Sequence, residues 1–383
     1  MSQHPCHDIE LSRLTARTGA KWKYFPADVL PLWVAEMDFR IAEPIKQAIR
    51  VRLDNDDLGY GMPNAVPGLQ DAVADRLNRF GYRPPTDCVL PLQGTSIGLD
   101  YAARSFAGPG DEVLILTPLY PPFKRAITGA GRVPVEVELV DDGTGYRIDM
   151  DALEAAVTPA TRMLMLCNPH NPVGRVFTRA ELEALADFAL RHNLWVISDD
   201  LHADLVFEGQ MLTIAGISPE IAARTITLYG PSKAFNLPGL QISFAVASDK
   251  ALLDRLKAGS QGTYHGPNVL AQEAALAAYT QSEDWLETVL AYLDGNRQFV
   301  TKFVAEKMPS VRHYAPEGTY LSWFDYRGTK FADMPAKTLM EASKVGLNEG
   351  ADYGKGGAGF ARLNFATTRE ILAQALDKLA AAL

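Results

Sequence analysis

Short apolar runs alternate with amphipathic segments through the middle of the chain. Seven runs rich in Val, Ile and Leu are too short for typical helices and predict strands, at 88–92, 112–116, 133–137, 162–167, 194–198, 225–228 and 242–247. The clearest helical pattern is Arg179–Arg191, where Thr178 and Glu181 have the spacing of a capping box. Strands that alternate with helices predict an α/β fold with a mostly parallel central sheet between helical layers.

The pattern changes near residue 281, where helices and short strands mix as in a smaller α+β domain. We expect a long helix at 282–308, strands at 311–314, 320–324 and 361–365, a helix at 335–345 and a last helix from Thr368. The first 45 residues hold no strong periodic element. The chain therefore predicts an arm with part of the small domain (1–45), a large domain (46–280) and a small C-terminal domain (281–383).

Charge and composition narrow the classes of function. The chain carries 37 Lys and Arg against 46 Asp and Glu, a formal charge of −9, which disfavours binding to nucleic acid or to an anionic membrane. No apolar run approaches the roughly 20 residues of a membrane span, and the N-terminus has no signal pattern. Three scattered cysteines suit neither a disulfide framework nor a zinc site. We expect a cytoplasmic protein without a metal.

Polar residues follow five of the predicted strands, and the carboxyl ends of parallel strands are where ligands collect. A helix start, an amide cluster, a carboxylate with a histidine, a lysine and an aromatic residue stand there: Gly94-Thr95-Ser96, Asn168 with Asn171, Asp199 with His202, Ser232-Lys233, and Tyr120. Each feature alone is common as a helix cap, a turn or a surface residue.

One small molecule accounts for all of these residues together. Pyridoxal 5′-phosphate (PLP) needs a lysine amine for a Schiff base and a carboxylate to keep its ring nitrogen protonated. It also needs donors to its ring oxygen, an aromatic residue over its ring and a helix N-terminus for its phosphate.

Three stretches resemble the fold-type I PLP enzymes of the class I and II aminotransferase superfamily: 168–174 (NPHNPVG), 198–204 (SDDLHAD) and 232–236 (SKAFN). Within that superfamily, 31–39 (PLWVAEMDF), 231–241 (PSKAFNLPGLQ) and 359–365 (GFARLNF) resemble the cystathionine β-lyase-like C–S lyase branch. The resemblance runs from about residue 30 to the C-terminus.

The resemblance implies a role for each matched residue. Lys233 is expected to form the Schiff base and to act as the base at the substrate Cα, Asp199 to pair with the ring nitrogen, and Tyr120 to stack on the ring. The remaining cofactor residues are expected to be Gly94, Thr95, Ser96 and Ser232 at the phosphate, Asn171 and His202 at the ring oxygen, and Asn168 beside them.

The resemblance also implies substrate and subunit contacts. Arg362 is expected to bind the α-carboxylate of an amino acid substrate as a bidentate pair, with Trp33 nearby. Tyr60 is expected to reach the cofactor phosphate of a neighbouring subunit, which implies a homodimer. The aromatic residues Trp33, Tyr120, Tyr320 and Trp323 fit either a thioether pocket or the core.

Two departures from the aminotransferase pattern bear on the reaction. Gln241 stands eight residues after Lys233, where many aminotransferases have an arginine, and Gly230 stands where they often have a serine. The C–S lyase branch shares the glutamine. The sequence therefore predicts PLP-dependent β-elimination from a cysteine thioether such as L-cystathionine, giving thiol, pyruvate and ammonia.

Three alternatives remain at this point. An aminotransferase would use the same residues. A catalytically silent protein of this fold would not require Lys233, Asp199 and Arg362 together. A nicotinamide-dependent dehydrogenase would need a G-x-G-x-x-G sequence after a strand, and no predicted strand here is followed by one.

Overall fold

The computed structural model describes residues 4–7, 9–61 and 65–383. The α-helices in this part of the chain, labelled α1 to α14, are Leu11–Thr15, Ala20–Lys23, Glu43–Asp54, Leu69–Asn78, Thr95–Phe106, Pro122–Gly129, Met150–Ala155, Arg179–Arg191, Pro219–Ala222, Lys250–Ala258, Val269–Gln281, Glu283–Lys307, Pro335–Ser343 and Arg369–Ala382.

The strands described, labelled β1 to β15, are Leu30–Pro31, Val89–Leu92, Glu112–Thr117, Val133–Glu138, Val140–Asp141, Tyr146–Arg147, Thr161–Cys167, Trp195–Asp199, Thr225–Tyr229, Ser243–Val246, Arg312–His313, Leu321–Asp325, Val345–Gly346, Asn348–Glu349 and Phe360–Asn364. Short 3₁₀ helices occur at Thr86–Cys88, Ile214–Gly216, Pro238–Leu240 and Gly350–Tyr353.

The seven strands predicted in the middle of the chain form one sheet. Its order is β2-β10-β9-β8-β7-β3-β4. Only β10 runs antiparallel to its neighbours β2 and β9, and the other pairs are parallel. The predicted α/β class with a mostly parallel sheet is confirmed.

Both faces of this sheet are covered by helices, as the alternation of side chains along β3 shows. Val113 and Ile115 point into a core shared with α5, α6 and α10, whereas Leu114 and Leu116 belong to a second core with α7 and α8. Helix α8 begins with the predicted capping box, because Thr178 and Glu181 bond each other's backbone N–H groups. Helices thus cover both faces of the sheet, and its carboxyl edge is left for a binding site.

A second sheet has the order β11-β12-β15-β14 and packs with α12, α13 and α14. Strand β1 of the N-terminal arm pairs in parallel with β13, so the arm contacts this part of the molecule. The helix predicted at 335–345 ends earlier, at Ser343, because Lys344 has φ +60° and Val345 joins the pair with β1. The proposed domain boundaries stay a prediction. Among the described residues, no helix is both long and apolar enough to span a bilayer.

Candidate active site

A cleft of about 1030 Å³ opens at the carboxyl edge of the central sheet, where the second sheet meets it. Residues that the sequence predicted for the site line this cleft from seven separate segments: Trp33, Gly94, Thr95, Ser96, Tyr120, Asn171, Asp199, His202, Ser232, Lys233 and Arg362. The parallel strands bring these segments together because β3, β7, β8 and β9 all end at the same edge.

Lys233 lies four residues beyond the end of β9 and reaches into the cleft. Its Nζ donates a hydrogen bond to the backbone carbonyl of Ala35 across 2.9 Å. Burial, and next the positive charge of Arg362, lower the pKa of Lys233 to about 8. A substantial fraction of the amine is therefore neutral near pH 8, which is the form that attacks a carbonyl or accepts a proton.

Asp199 ends β8 and is almost completely buried, with 5% of its surface exposed. Its carboxylate accepts a hydrogen bond from the backbone N–H of Leu201. Burial raises the pKa of Asp199 to about 7, and the hydrogen bonds from the Leu201 N–H and the Thr95 side chain, with the charge of Lys233, offset this only in part. A buried carboxylate that faces a cavity and is so weakly compensated fits a cationic group placed in that cavity.

His202 follows Asp199 by three residues and is also buried. Burial, together with the positive charges of Lys233 and Arg362, lowers the pKa of His202 well below its usual value, so its ring is neutral at pH 7. Its Nδ1 has no hydrogen-bond partner among the described residues. A buried, unpartnered ring nitrogen beside the cleft needs a ligand or water to satisfy it.

The N-terminus of α5 opens into the same cleft and suits an anion. Gly94 has φ +107°, a conformation that L side chains rarely adopt, and a Cβ there would meet no atom within 4 Å. Glycine is therefore required by the backbone conformation and not by crowding. No side chain caps the helix, so its first N–H groups remain available to bind a phosphate.

Arg362 lies on β15 and is 3% exposed. Its Nη1 donates to Oδ1 of Asn171 at 2.9 Å, and its Nη2 donates to Oδ1 of Asn348 at 2.7 Å and to the Trp33 carbonyl at 2.9 Å. Its Nε has no partner among the described residues. The guanidinium is thus held in one orientation, and its Nε–H group is left to donate to a ligand. A residue that binds a carboxylate needs both properties.

The segment 33–39 crosses the cleft and is tied down from both sides. Asn236, three residues after Lys233, donates to the carbonyls of Met37 and Phe39 and accepts from the Met37 N–H. Asn364, two residues after Arg362, donates to the carbonyls of Val34 and Glu36. The residues that flank the lysine and the arginine therefore fix the segment that separates them.

The structure does not bring every predicted residue into the cleft. Asn168 was expected to contact the cofactor, but it is buried outside the cleft, where its amide bonds the Leu212 carbonyl and the Phe177 N–H. That amide holds the loop between β7 and α8, so both of its polar groups are already used. Tyr60 is fully exposed and does not line the cleft.

Of the four aromatic residues that the sequence left between a pocket and the core, two line the cleft and two do not. Trp33 and Tyr120 line the cleft. Trp323 instead stacks on Phe360 in the core, and the hydroxyl of Tyr320 donates to the Ala35 carbonyl at 3.0 Å.

Sequence analysis missed Asn348, which lines the cleft and orients Arg362. Asn348 and Arg362 are register partners on β14 and β15. No local sequence pattern predicts that these two strands pair.

The two departures from the aminotransferase pattern have local explanations. A Cβ at Gly230 would lie 2.9 Å from the Cα of Ser243 and 3.1 Å from the carbonyl of Ile242 on the neighbouring segment, so a serine does not fit without a shift of backbone. Gln241 lines the cleft in a left-handed conformation at φ +52°. It adds no charge to the anion end of the cleft.

The residues of the cleft fit PLP on these observations. The buried carboxylate of Asp199 suits a cationic ring nitrogen. Unpartnered Nδ1 of His202 and the uncapped start of α5 suit a ring oxygen and a phosphate. Lys233 supplies an amine for covalent attachment.

Comparison with known proteins gives the same result. The family model for aminotransferase class I and II matches residues 27–379. Cystathionine beta-lyase of Corynebacterium glutamicum is 36% identical over 375 residues, which cover 98% of this chain and 99% of that protein. An aspartate aminotransferase of Pyrococcus abyssi is 30% identical over 360 residues, covering 92% and 91%. The crystal structure of the PLP-bound C-S lyase from Staphylococcus hominis matches with a TM-score of 0.90 and 27% identity, covering 100% of this chain and 98% of that one.

The fold and the cleft define a PLP-dependent enzyme of fold type I. The chain belongs to the class I and II aminotransferase family, and within it to the cystathionine β-lyase-like branch.

Proposed function

We propose that this protein is a PLP-dependent carbon–sulfur β-lyase that acts on cysteine thioethers such as L-cystathionine and releases thiol, pyruvate and ammonia. The observation that carries the proposal is the convergence of Lys233, Asp199 and Arg362 on one cleft, because together they attach a cofactor, balance its charge and bind an amino acid. The full-length similarity to a cystathionine beta-lyase favours elimination over amino-group transfer.

The cofactor, when bound, supplies an electron sink for the pair left at Cα after its proton is removed. Beside a cationic ring nitrogen, the buried carboxylate of Asp199 would be ionised and would keep that nitrogen protonated, which strengthens the sink. His202 and Asn171, which line the same cleft, would act as donors to a ring oxygen. Tyr120 supplies the aromatic face.

The substrate would be held by its α-carboxylate on Arg362, whose guanidinium is fixed by Asn171 and Asn348. Lys233, once its amine is free, accepts the Cα proton, since its lowered pKa leaves part of the amine neutral near pH 8. The bond between Cβ and sulfur then breaks, and sulfur leaves with both electrons as a thiolate. Water completes the reaction by releasing pyruvate and ammonia from the three-carbon fragment.

The proposal extends to assembly and location. Tyr60 would reach the phosphate in the site of a second copy, so the active form would be a homodimer. The exposed position of Tyr60, and of Leu58 beside it, supports this assignment. The small number of cysteines and the charge of −9 support a cytoplasmic location without a nucleic acid or membrane partner.

A product assay on the purified, PLP-loaded enzyme tests the proposal. With L-cystathionine as the sole substrate we expect thiol, pyruvate and ammonia in a ratio of about 1:1:1, as the balanced elimination requires. Absence of thiol release from L-cystathionine and from simpler S-alkyl cysteines would reject the lyase assignment.

A further inference from the structure

Two charged side chains at the mouth of the cleft have no role in the mechanism above. Arg125 lies on α6, one turn beyond Tyr120, and Asp352 lies in the 3₁₀ helix Gly350–Tyr353. Both line the cleft and both are exposed. Neither side chain forms a hydrogen bond or ion pair with another residue in the part of the chain described.

The charged residues next to Arg125 and Asp352 already have partners within the chain. Lys124, the residue before Arg125, forms an ion pair with Glu136 at 2.6 Å, and the backbone N–H of Lys355 donates to the same carboxylate at 2.9 Å. Arg125 and Asp352 therefore differ from Lys124 in being available to a ligand, although all three line the same rim.

The segments that carry the two charges are joined. The backbone N–H of Leu119 donates to the carbonyl of Tyr353 at 2.8 Å, which ties the loop before α6 to the 3₁₀ helix. Arg125 and Asp352 thus lie on two segments that are joined by a hydrogen bond and that also contribute Tyr120 and Tyr353 to the lining of the cleft.

The cleft consequently presents two arginine side chains that differ in burial. Arg362 is buried and binds the α-carboxylate in the proposed function, whereas Arg125 is exposed. A thioether substrate extends from Cα through Cβ and sulfur to its second half. That half must point out of the cleft, because the buried positions are taken by the amino acid that reacts.

We propose that Arg125 and Asp352 form a subsite for the distal half of the substrate, in which Arg125 binds a carboxylate and Asp352 binds an ammonium group. This inference rests on the proposed function and deepens it. It assigns the preferred substrates to thioethers whose leaving thiol is itself an amino acid, in preference to S-alkyl cysteines without charge on the leaving group.

Four substrates distinguish the carboxylate contact of Arg125 from the ammonium contact of Asp352. They are L-cystathionine, S-(2-carboxyethyl)-L-cysteine, S-(2-aminoethyl)-L-cysteine and S-ethyl-L-cysteine. Thiol release is measured for wild type, Arg125→Gln and Asp352→Asn, and each kcat/KM is divided by that for S-ethyl-L-cysteine. We expect Arg125→Gln to lower this ratio about twofold to fivefold for the two substrates whose leaving thiol carries a carboxylate, the range for a guanidinium–carboxylate pair that keeps contact with solvent. Asp352→Asn should lower it for the two ammonium-bearing thiols.

Lys124→Gln is the matched control, since it removes the same charge from the adjacent position but from a residue already paired with Glu136. Its ratios should equal those of wild type. The PLP content of each variant is measured by absorbance, and a loss of cofactor in Arg125→Gln would assign that arginine to the phosphate and overturn the subsite.

The two levels of the proposal fail differently. If wild type releases no thiol from any of the four substrates, the lyase function is wrong. If wild type releases thiol but both variants keep all of its ratios, or Lys124→Gln shifts them equally, the function stands and the subsite is wrong.

Discussion

Arg362 donates a hydrogen bond from Nη1 to Oδ1 of Asn171 across 2.9 Å, with both side chains buried. This bond joins β15 of the second sheet to the loop after β7 of the central sheet. A residue proposed to bind the substrate is thereby coupled to one proposed to bind the cofactor ring oxygen. Movement of either would displace the other, so substrate and cofactor recognition are not independent in this site.

The first prediction concerns that arginine. Arg362→Ala should raise KM for amino acid substrates strongly, because removal of a buried guanidinium from a carboxylate costs on the order of 2–5 kcal/mol. The KM of Arg362→Lys should lie between those of wild type and Arg362→Ala, since an ammonium group keeps the charge but cannot make the bidentate contact. Steady-state kinetics with L-cystathionine measure both variants.

The control for this prediction is Arg327→Ala, which removes an arginine that pairs with Asp325 away from the cleft. An unchanged KM in Arg362→Ala, or an equal change in Arg327→Ala, would contradict the role of Arg362.

A second prediction concerns covalent attachment of the cofactor. Borohydride reduction of the wild-type enzyme should fix PLP to Lys233, whose lowered pKa favours the reactive amine. Mass spectrometry of tryptic peptides locates the adduct. Lys233→Ala should yield no adduct, while Lys124→Ala, which removes another lysine that lines the cleft, should keep it. An adduct at the wild-type level in Lys233→Ala would show that another lysine carries the cofactor.

A third prediction follows from the pKa of Asp199. Burial raises it to about 7 from an ordinary value near 4, so the folded apoenzyme holds a proton that the unfolded chain loses. This stabilisation is complete below about pH 4 and is lost as pH rises through 7. Between pH 4 and 7, the free energy of unfolding of the apoenzyme should therefore fall with pH through this group. Asp199→Asn should make the fall shallower, although Asp200, whose pKa burial also raises to about 7, will keep part of it.

Denaturant unfolding of apoenzyme at several pH values measures this slope. The exposed carboxylate of Asp187 on α8 provides the control, and Asp187→Asn should keep the wild-type slope. Equal slopes in Asp199→Asn and wild type would contradict the burial-driven shift at Asp199.

A fourth prediction concerns the second subunit. Light scattering should give twice the chain mass, and Tyr60→Phe should weaken PLP retention by removal of a hydroxyl donor to the phosphate. Tyr314→Phe removes a hydroxyl that is already bonded to Asp141 and should not weaken retention. A fully active monomer, or wild-type retention in Tyr60→Phe, would overturn this assignment.

Much of the fold was predictable because buried parallel strands have a strong local signal. All seven predicted strands of the middle region joined the central sheet, with each boundary shifted by at most one residue. The helix expected at 335–345 was too long, because the pairing of Val345 with Leu30 brings together positions more than 300 residues apart. That contact leaves no trace in local periodicity.

The site was predictable to the extent that it lies at strand ends. Asp199 ends β8 and Lys233 lies four residues beyond β9, so the shared carboxyl edge of a parallel sheet predicts that they lie close together. Asn168 has the same position in sequence, yet its amide turns towards the Leu212 carbonyl. Asn348 reaches the cleft only through its pairing with Arg362. Sequence position gave the neighbourhood of each residue, and only tertiary packing decided the direction of its side chain.

The most direct test of the central claim is a competition between elimination and amino-group transfer in one reaction. PLP-loaded enzyme is given L-cystathionine together with 2-oxoglutarate, and initial rates of thiol release and of glutamate formation are measured side by side. We expect thiol release at the same rate with and without 2-oxoglutarate, with glutamate formed at most as a slow side product. Glutamate formation faster than thiol release, across L-cystathionine and other thioether amino acids, would contradict the lyase assignment and establish an aminotransferase in its place.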